Sequence, residues 1–330
     1  MATLSSPGMS AGPVPASRSF SKRLLQGDQV AHVLTFVFAA SILLITTALV
    51  IVLWNSSALP RAKFGLSFFT GRTWDPVNEE FGAAPFVYGT LVTSALALLL
   101  GVPLGLGAAV FLAELAPPKI SDVLTFVIEL LAAVPSVIYG LLGIFLIVPF
   151  VRGTLAPVLS NTLGTLPGIG VFFKGPCYGV SYLAAGLVLA IMILPFIVSV
   201  SREVLLAVPT DQREAALALG STRWESTWKV VVPFALPGVL GSVFLAMARA
   251  LGETMAVTMV VGNVTDIKAS LLAPGYSIAA VIANEFTEAT GDTYLQALIE
   301  LGLVLFLVTF VLNGLARLLI LFTSQRGGTT

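Results

Sequence analysis

The chain has 330 residues, of which 57% are hydrophobic and 10% charged, and its 17 basic residues balance its 17 acidic ones. With a mean hydropathy of +0.98, this composition predicts an integral membrane protein and offers no basic face for nucleic acid. His32 and Cys177 are the only histidine and cysteine, which excludes a Cys/His metal cluster, a histidine-based triad and an intramolecular disulfide. No Gly-Lys dipeptide occurs, so the chain holds no Walker A loop, and no cofactor is expected.

Six apolar segments have the length of about 20 residues that a helix needs to cross a bilayer, and they predict an all-α polytopic fold. These segments cover residues 32–54, 86–112, 123–151, 181–201, 236–262 and 294–319. The first is too long for a secretory signal and is followed by no small-residue cleavage site, so it is expected to be retained.

The domain organisation follows from these segments. The start of the chain, rich in Ser, Pro, Ala and Gly, predicts a disordered cytoplasmic tail over residues 1–30. A first transmembrane helix over 31–54 and an extracytoplasmic segment over 55–85 come next. A core of five transmembrane helices is expected over 86–322, with a cytoplasmic tail over 323–330. Lys and Arg are more frequent in the segments this arrangement places inside, so both termini are expected to be cytoplasmic.

The loop between the fourth and fifth segments, residues 203–233, predicts two short helices on the inner face. For the first helix, Asp211 followed three residues later by Glu214 fits a capping box. Gly220 stands where a C′ glycine ends a helix. The loop is therefore expected to form a compact, doubly capped projection.

The second short helix has its own signals. Thr222 and Glu225 offer another capping box, Trp224 and Trp228 fall on one face at i and i+4, and Pro233 is expected to end the run. By composition alone, an interfacial helix pair with tryptophans at the lipid headgroups is the alternative interpretation.

Charged residues within the fifth segment are the strongest pointer to function. Arg249 and Glu253 lie one helical turn apart in an otherwise apolar stretch, where charge is costly and usually faces a bundle interior or a solute path. They are candidate pathway residues, with Thr254 beside them and Glu300 in the sixth segment. The alternative is that Arg249 and Glu253 pair with each other and hold helices together.

The loop 203–233 also carries a recognisable signature. Glu214-Ala215-Ala216 is followed after three residues by Gly220, and after nine more by Val230-Val231-Val232-Pro233. This spacing resembles the EAA motif of ABC importer permeases, with Val in place of the usual Ile and Leu. The resemblance implies a type I permease fold, and a loop that docks into a groove on a separate ATP-binding subunit and transmits its closure to the membrane helices.

Further motifs narrow the resemblance to the phosphate-specific transport permeases, and to the C-type subunit rather than its A-type partner. They are Thr73-Trp74-Asp75-Pro76, Gly101-Val102-Pro103-Leu104-Gly105, Leu112-Ala113-Glu114, Arg249-Ala250-Leu251-Gly252-Glu253-Thr254-Met255-Ala256-Val257, Ala283-Asn284-Glu285-Phe286 and Glu300-Leu301-Gly302. The resemblance implies a non-enzymatic subunit of an inorganic phosphate importer in the bacterial inner membrane. It also implies a homologous second permease subunit, an ATPase dimer and an extracytoplasmic phosphate-binding protein as partners.

The chemistry of Arg249 agrees with that interpretation. Its planar guanidinium offers five N–H donors and a permanent charge to a small oxyanion. Because Arg249 and Glu253 together carry no net charge, further cations are expected from the second permease subunit. Three alternatives remain: a permease for sulfate or molybdate, a proton-coupled secondary carrier that uses Arg249, Glu253 and Glu300 as a relay, and a membrane scaffold.

Overall fold

The computed structural model describes the backbone of residues 28–326 and the side chains of residues 30–318. Residues 1–27 of the predicted N-terminal tail and residues 327–330 of the predicted C-terminal tail lie outside the described part of the chain. The chain divides into two units at Val52 and Leu53. The described part of the first unit is the beginning of helix α1.

The first half of the chain begins with α1, two short helices and a hairpin. These elements are α1 Asp28–Ser56, α2 Ala58–Phe64, α3 Ser67–Thr70, β1 Trp74–Asp75 and β2 Glu80–Phe81. Helices α4 Ala84–Leu115, whose last turn Phe111–Leu115 is π-helical, α5 Pro118–Ala132 and α6 Ser136–Thr165 follow. The two strands pair antiparallel, with Trp74 opposite Phe81.

The second half continues with α7 Tyr182–Leu206, α8 Thr210–Ala218, α9 Arg223–Leu251, α10 Met255–Val261, α11 Ile278–Glu285 and α12 Asp292–Arg326. Within the described part of the chain, six helices are long and apolar enough to cross a membrane, namely α1, α4, α6, α7, α9 and α12. The predicted all-α, six-span fold is therefore confirmed.

The third span differs from its prediction. Residues 123–151 were expected to form one helix, but the chain breaks ahead of Pro135, so that α5 ends at Ala132 and α6 starts at Ser136. A proline ring clashes with the carbonyl four residues earlier and disfavours a helical residue before it. The hydroxyl of Tyr139 donates to the carbonyl of Leu131 at 2.7 Å and so satisfies a group freed by the break.

The start of the fifth span also differs. Pro233 was expected to end the second loop helix, yet α9 runs through it from Arg223 to Leu251. A π-helical turn, Thr227–Val231, stands just ahead of the proline. This wider turn accommodates the ring and the missing N–H, so the loop helix becomes the first turn of the membrane span.

Helix α7 is the most buried span and organises the core. Gly101 and Gly105 let α4 approach it closely, because an added Cβ would lie 3.1 Å from Ile193 and 2.8 Å from Ile197. On another side, the fully buried hydroxyls of Ser201 and Ser242 lie 2.7 Å apart and join α7 to α9. The core thus fixes the ends of three spans relative to one another.

The hairpin, α11 and α12 are joined by a polar network around Glu285 at the end of α11. Its Oε2 accepts hydrogen bonds from the indole N–H of Trp74 at 2.8 Å and from the hydroxyl of Tyr294 at 2.7 Å. Next to it, the side-chain amide of Asn284 donates to the hydroxyl of Tyr276 at 2.9 Å. Burial raises the pKa of Tyr276 to about 12, so this hydroxyl is neutral at physiological pH. The hairpin, α11 and α12 are held as one assembly.

Candidate functional site

Arg249 and Glu253 do not share a helix. The fifth span was expected to run unbroken over 236–262, but α9 ends at Leu251 and α10 starts at Met255. Oε1 of Glu253 accepts a hydrogen bond from the backbone N–H of Ala256 at 3.2 Å. Among the ion pairs of the described residues, Arg249 and Glu253 do not form one.

The break places Arg249 in an unusual environment. Its side chain is exposed on the surface of the chain, in the last turn of α9, where the helix dipole favours a cation. The non-helical residues Gly252–Thr254 follow directly on the last turn of α9, so Arg249 lies beside them at the end of this helix.

Helix α6 packs closely against α10 next to this break. A Cβ on Gly140 would lie 2.4 Å from Sδ of Met259 and 3.2 Å from Cα of Ala256. Two interrupted segments, at residues 133–135 and 252–254, are thus brought together near Arg249.

The two remaining pathway candidates have different surroundings. Thr254 lies in the break, half-buried, and its carbonyl accepts from the N–H and the hydroxyl of Thr258 at 2.9 and 2.7 Å. Glu300 on α12 is only 3% exposed, and its Oε2 has no hydrogen-bond partner among the described residues. Its carboxylate therefore faces the interior of the chain rather than its surface.

The first loop helix, α8, begins differently from the prediction. Its N-cap is Pro209, which has no side-chain acceptor, and Asp211 lies in the first turn instead of capping it. The capping box predicted for Asp211 and Glu214 is therefore absent from α8. Pro209 carries no N–H and adopts an extended backbone, which suits the residue ahead of a helix. Asp211 still interacts favourably with the positive end of the helix dipole.

The end of α8 agrees with the prediction for Gly220. Its φ of +87° places it in the left-handed region, and its N–H donates to the carbonyl of Leu217 at 2.9 Å. The N–H of Ser221 donates to the carbonyl of Ala216 at 3.2 Å. These two bonds form a Schellman motif, which turns the chain sharply into α9.

The beginning of α9 carries the second predicted cap and an exposed aromatic pair. Thr222 and Glu225 form the reciprocal capping box, as expected. The rings of Trp224 and Trp228 lie 5.6 Å apart and are 56% and 48% exposed, while Leu219 between the helices is 89% exposed. This apolar surface projects from the loop, and Glu214 and Ala215 are exposed on α8 while Ala216 is buried.

One residue of this loop, Arg213, was not predicted to have a role. Its Nη2 lies 2.9 Å from Oε1 of Glu114 at the end of α4, and its Nε lies 3.3 Å from both oxygens of that carboxylate. Its remaining donors reach the carbonyls of Leu205, at 2.7 Å, and Val208. Glu114 and the loop each belong to a motif, but nothing local to either one predicts that they meet. An open cleft of about 220 Å³ lies beside this contact and is lined by Glu114, Arg213, Leu217, Arg223, Ser226 and Thr227.

The comparisons with known proteins agree with this architecture. Residues 101–322 match the family described as binding-protein-dependent transport system inner membrane component. The phosphate transport system permease protein PstC of Mesorhizobium japonicum is 43% identical over 319 residues, covering 96% of this chain and 98% of that protein. The PstC protein of Xylella fastidiosa is 46% identical, covering 89% of this chain and 90% of that protein.

Solved structures share the fold at low sequence identity. A chain of a bacterial alginate ABC transporter is similar with a TM-score of 0.58 at 18% identity, covering 94% of this chain and 99% of that chain. A chain of the MetNI methionine ABC transporter is similar with a TM-score of 0.53 at 17% identity, covering 76% of this chain and 99% of that chain. The fold is therefore that of type I ABC importer permeases. The chain belongs to the binding-protein-dependent transport system inner membrane component family and, within it, to the phosphate transport system permease proteins of the PstC type.

Proposed function

We propose that this chain forms half of the membrane pathway of an ATP-driven, binding-protein-dependent importer of inorganic phosphate. The observation that carries the proposal is the exposed guanidinium of Arg249 beside a helix break in a membrane span. A permanently charged fork of N–H donors suits a phosphate oxyanion. The similarity to phosphate transport system permease proteins supports phosphate over sulfate or molybdate.

Glu253 and Thr254 are proposed to line the same pathway. Arg249 and Glu253 carry no net charge together, so the desolvation of a phosphate anion requires cations from a homologous second permease subunit. The carboxylate of Glu253 repels the anion near Arg249. Conduction needs binding that is strong enough for entry and weak enough for release, and this repulsion serves the release.

The loop with Glu214, Gly220 and the exposed Trp224 is proposed to dock on an ATPase dimer. As a permease of this family the chain is a transport subunit and not an enzyme, and ATP hydrolysis is assigned to the separate ATPase. The exposed apolar surface of Leu219, Trp224 and Trp228 supports docking, because contiguous exposed apolar residues commonly mark interaction sites.

The chain is a multi-pass membrane protein. We assign it to the bacterial inner membrane with both termini in the cytoplasm. An external phosphate-binding protein is proposed to dock on the outer assembly of hairpin and α11. That assembly is held together by Glu285, so it offers a preorganised surface.

The test is transport by a reconstituted complex. The chain is placed in liposomes with the second permease subunit, the ATPase and the phosphate-binding protein, and uptake of radiolabelled phosphate is measured. We expect uptake to require internal ATP and to persist when an ionophore collapses the proton gradient. Loss of uptake in the ionophore would support a proton-coupled carrier instead. If sulfate or molybdate lowered the uptake of labelled phosphate more strongly than the same concentration of unlabelled phosphate, the assignment of the solute would be overturned.

A further inference from the structure

We propose that Arg213 and Glu114 form a mechanical link that makes the cytoplasmic end of α4 follow the movement of α8. The proposal rests on the proposed function, because it assumes that an ATPase docks on α8. The two residues are 99 positions apart in the sequence. Their side chains are 20% and 10% exposed, so solvent and salt screen their interaction only weakly.

The packing of α8 explains why such a link is needed. Helix α8 packs mainly against the first turns of α9, so movement of α8 reaches α9 through ordinary side-chain contacts. Its connection to α4 is carried by the Arg213 side chain. Without this side chain, α4 would follow a displacement of α8 only indirectly, through its packing against α7 and α9. Arg213 therefore supplies the direct connection between α8 and α4.

The geometry of the contact fixes orientation as well as distance. Two nitrogens of the guanidinium bind the Glu114 carboxylate, and other N–H groups bind carbonyls of Leu205 and Val208 at the end of α7. A planar group held at several points resists rotation about any one hydrogen bond. A lysine side chain would keep the charge but hold Glu114 at a single point, so Arg213→Lys is expected to weaken the link without removing the ion pair.

Glu114 also stands at a place where α4 can bend. It lies in the π-helical turn Phe111–Leu115, after which the chain leaves the helix at Ala116. The turn is closed by the N–H of Ala116, which donates to the carbonyl of Phe111 at 2.8 Å. Single π-helical turns are frequent at functional sites. A pull on Glu114 is therefore applied to the irregular last turn of α4, next to the residue at which the chain leaves the helix.

The experiment compares four complexes reconstituted with all subunits: the unmodified complex, Arg213→Lys, Glu114→Gln, and the double variant Arg213→Gln with Glu114→Gln. The double variant leaves no unpaired buried charge, so it keeps the comparison valid if a single variant assembles poorly. Phosphate uptake and ATP hydrolysis are measured together. Hydrogen–deuterium exchange of residues 111–115 and 210–218 is measured with and without a non-hydrolysable ATP analogue.

If Arg213 and Glu114 form this link, its loss should uncouple ATP hydrolysis from phosphate transport. In the variants, we expect ATP hydrolysis to continue and the ATPase subunit still to copurify with the permease. The number of phosphate ions transported per ATP hydrolysed should fall by roughly fivefold or more, which is the lower end of the coupling typical between distant sites. The nucleotide analogue should change exchange at both segments in the unmodified complex, but only at 210–218 in the double variant. An unchanged transport ratio, or an exchange change at 111–115 in the double variant, would overturn the link. Exchange does not depend on the solute, so failure of the unmodified complex to move phosphate would contradict the proposed function alone.

Discussion

The carboxylate of Glu253 accepts a hydrogen bond from the backbone N–H of Ala256 at 3.2 Å, and so caps the helix that follows the break in the fifth span. Glu253 thus has two roles that substitution can separate, a hydrogen-bond acceptor for α10 and a negative charge beside Arg249.

For Glu253, we expect Glu253→Gln to keep the cap, since the amide oxygen can accept from Ala256, while Glu253→Ala loses it. Loss of an N-terminal cap costs about 1 kcal/mol. Thermal unfolding of the purified chain should therefore be lowered by Glu253→Ala and little changed by Glu253→Gln. Both variants should transport poorly, because Arg249 then retains the anion. Normal uptake by Glu253→Gln would show that its charge has no part in transport.

For Arg249, we expect Arg249→Gln to abolish phosphate uptake while the complex still assembles. The side chain lies on the surface of the chain, so the substitution removes its positive charge without disturbing the packing of the core. Arg317→Gln is the matched control, because Arg317 is another exposed arginine near the end of a span. Uptake in vesicles and the membrane level of each variant are measured. Equal uptake by the two variants would rule out a pathway role for Arg249.

For Gly220, replacement by Val is expected to reduce the ATPase stimulation produced by loaded binding protein. A Cβ at this position would contact nothing within 4 Å, so the effect is conformational, arising from its φ of +87°. A β-branched residue in this region costs about 1–2 kcal/mol. Gly220→Asn is the control, because Asn tolerates the left-handed conformation. If Val and Asn behaved alike, the Schellman turn would not be needed for docking.

The hydroxyls of Ser201 and Ser242 allow a prediction about stability. Ser242 donates to the carbonyl of Val239 at 2.8 Å, so Ser201 is the donor in the bond between the two hydroxyls. Each single change to Ala should lower stability by about 0.5–1.5 kcal/mol, and the double change should cost less than the sum. Thermal unfolding of the four forms measures this coupling. If the two losses of stability were strictly additive, the hydrogen bond between the hydroxyls would contribute no coupling energy between α7 and α9.

Several features governed by short-range interactions were correctly predicted from the sequence, whereas the capping box of Asp211 and Glu214 and the helix end at Pro233 were wrong. The six spans follow from summed hydropathy, the turn at Gly220 from the freedom of glycine at positive φ, and the capping box of Thr222 and Glu225 from groups three residues apart. Each depends on atoms within one or two helical turns. For the same reason, the family signature in the loop could be recognised without any tertiary contact.

Tertiary structure decided what local patterns leave open. Summed hydropathy does not report helix continuity, so the breaks ahead of Pro135 and after Leu251 were missed, and with them the partner of Glu253. Arg213 and Glu114 meet only because the ends of α4 and α7 and the start of α8 lie at one place. Glu300 is buried because α12 packs against α2 and α11. Such contacts depend on how distant elements pack, which no single stretch of the chain determines.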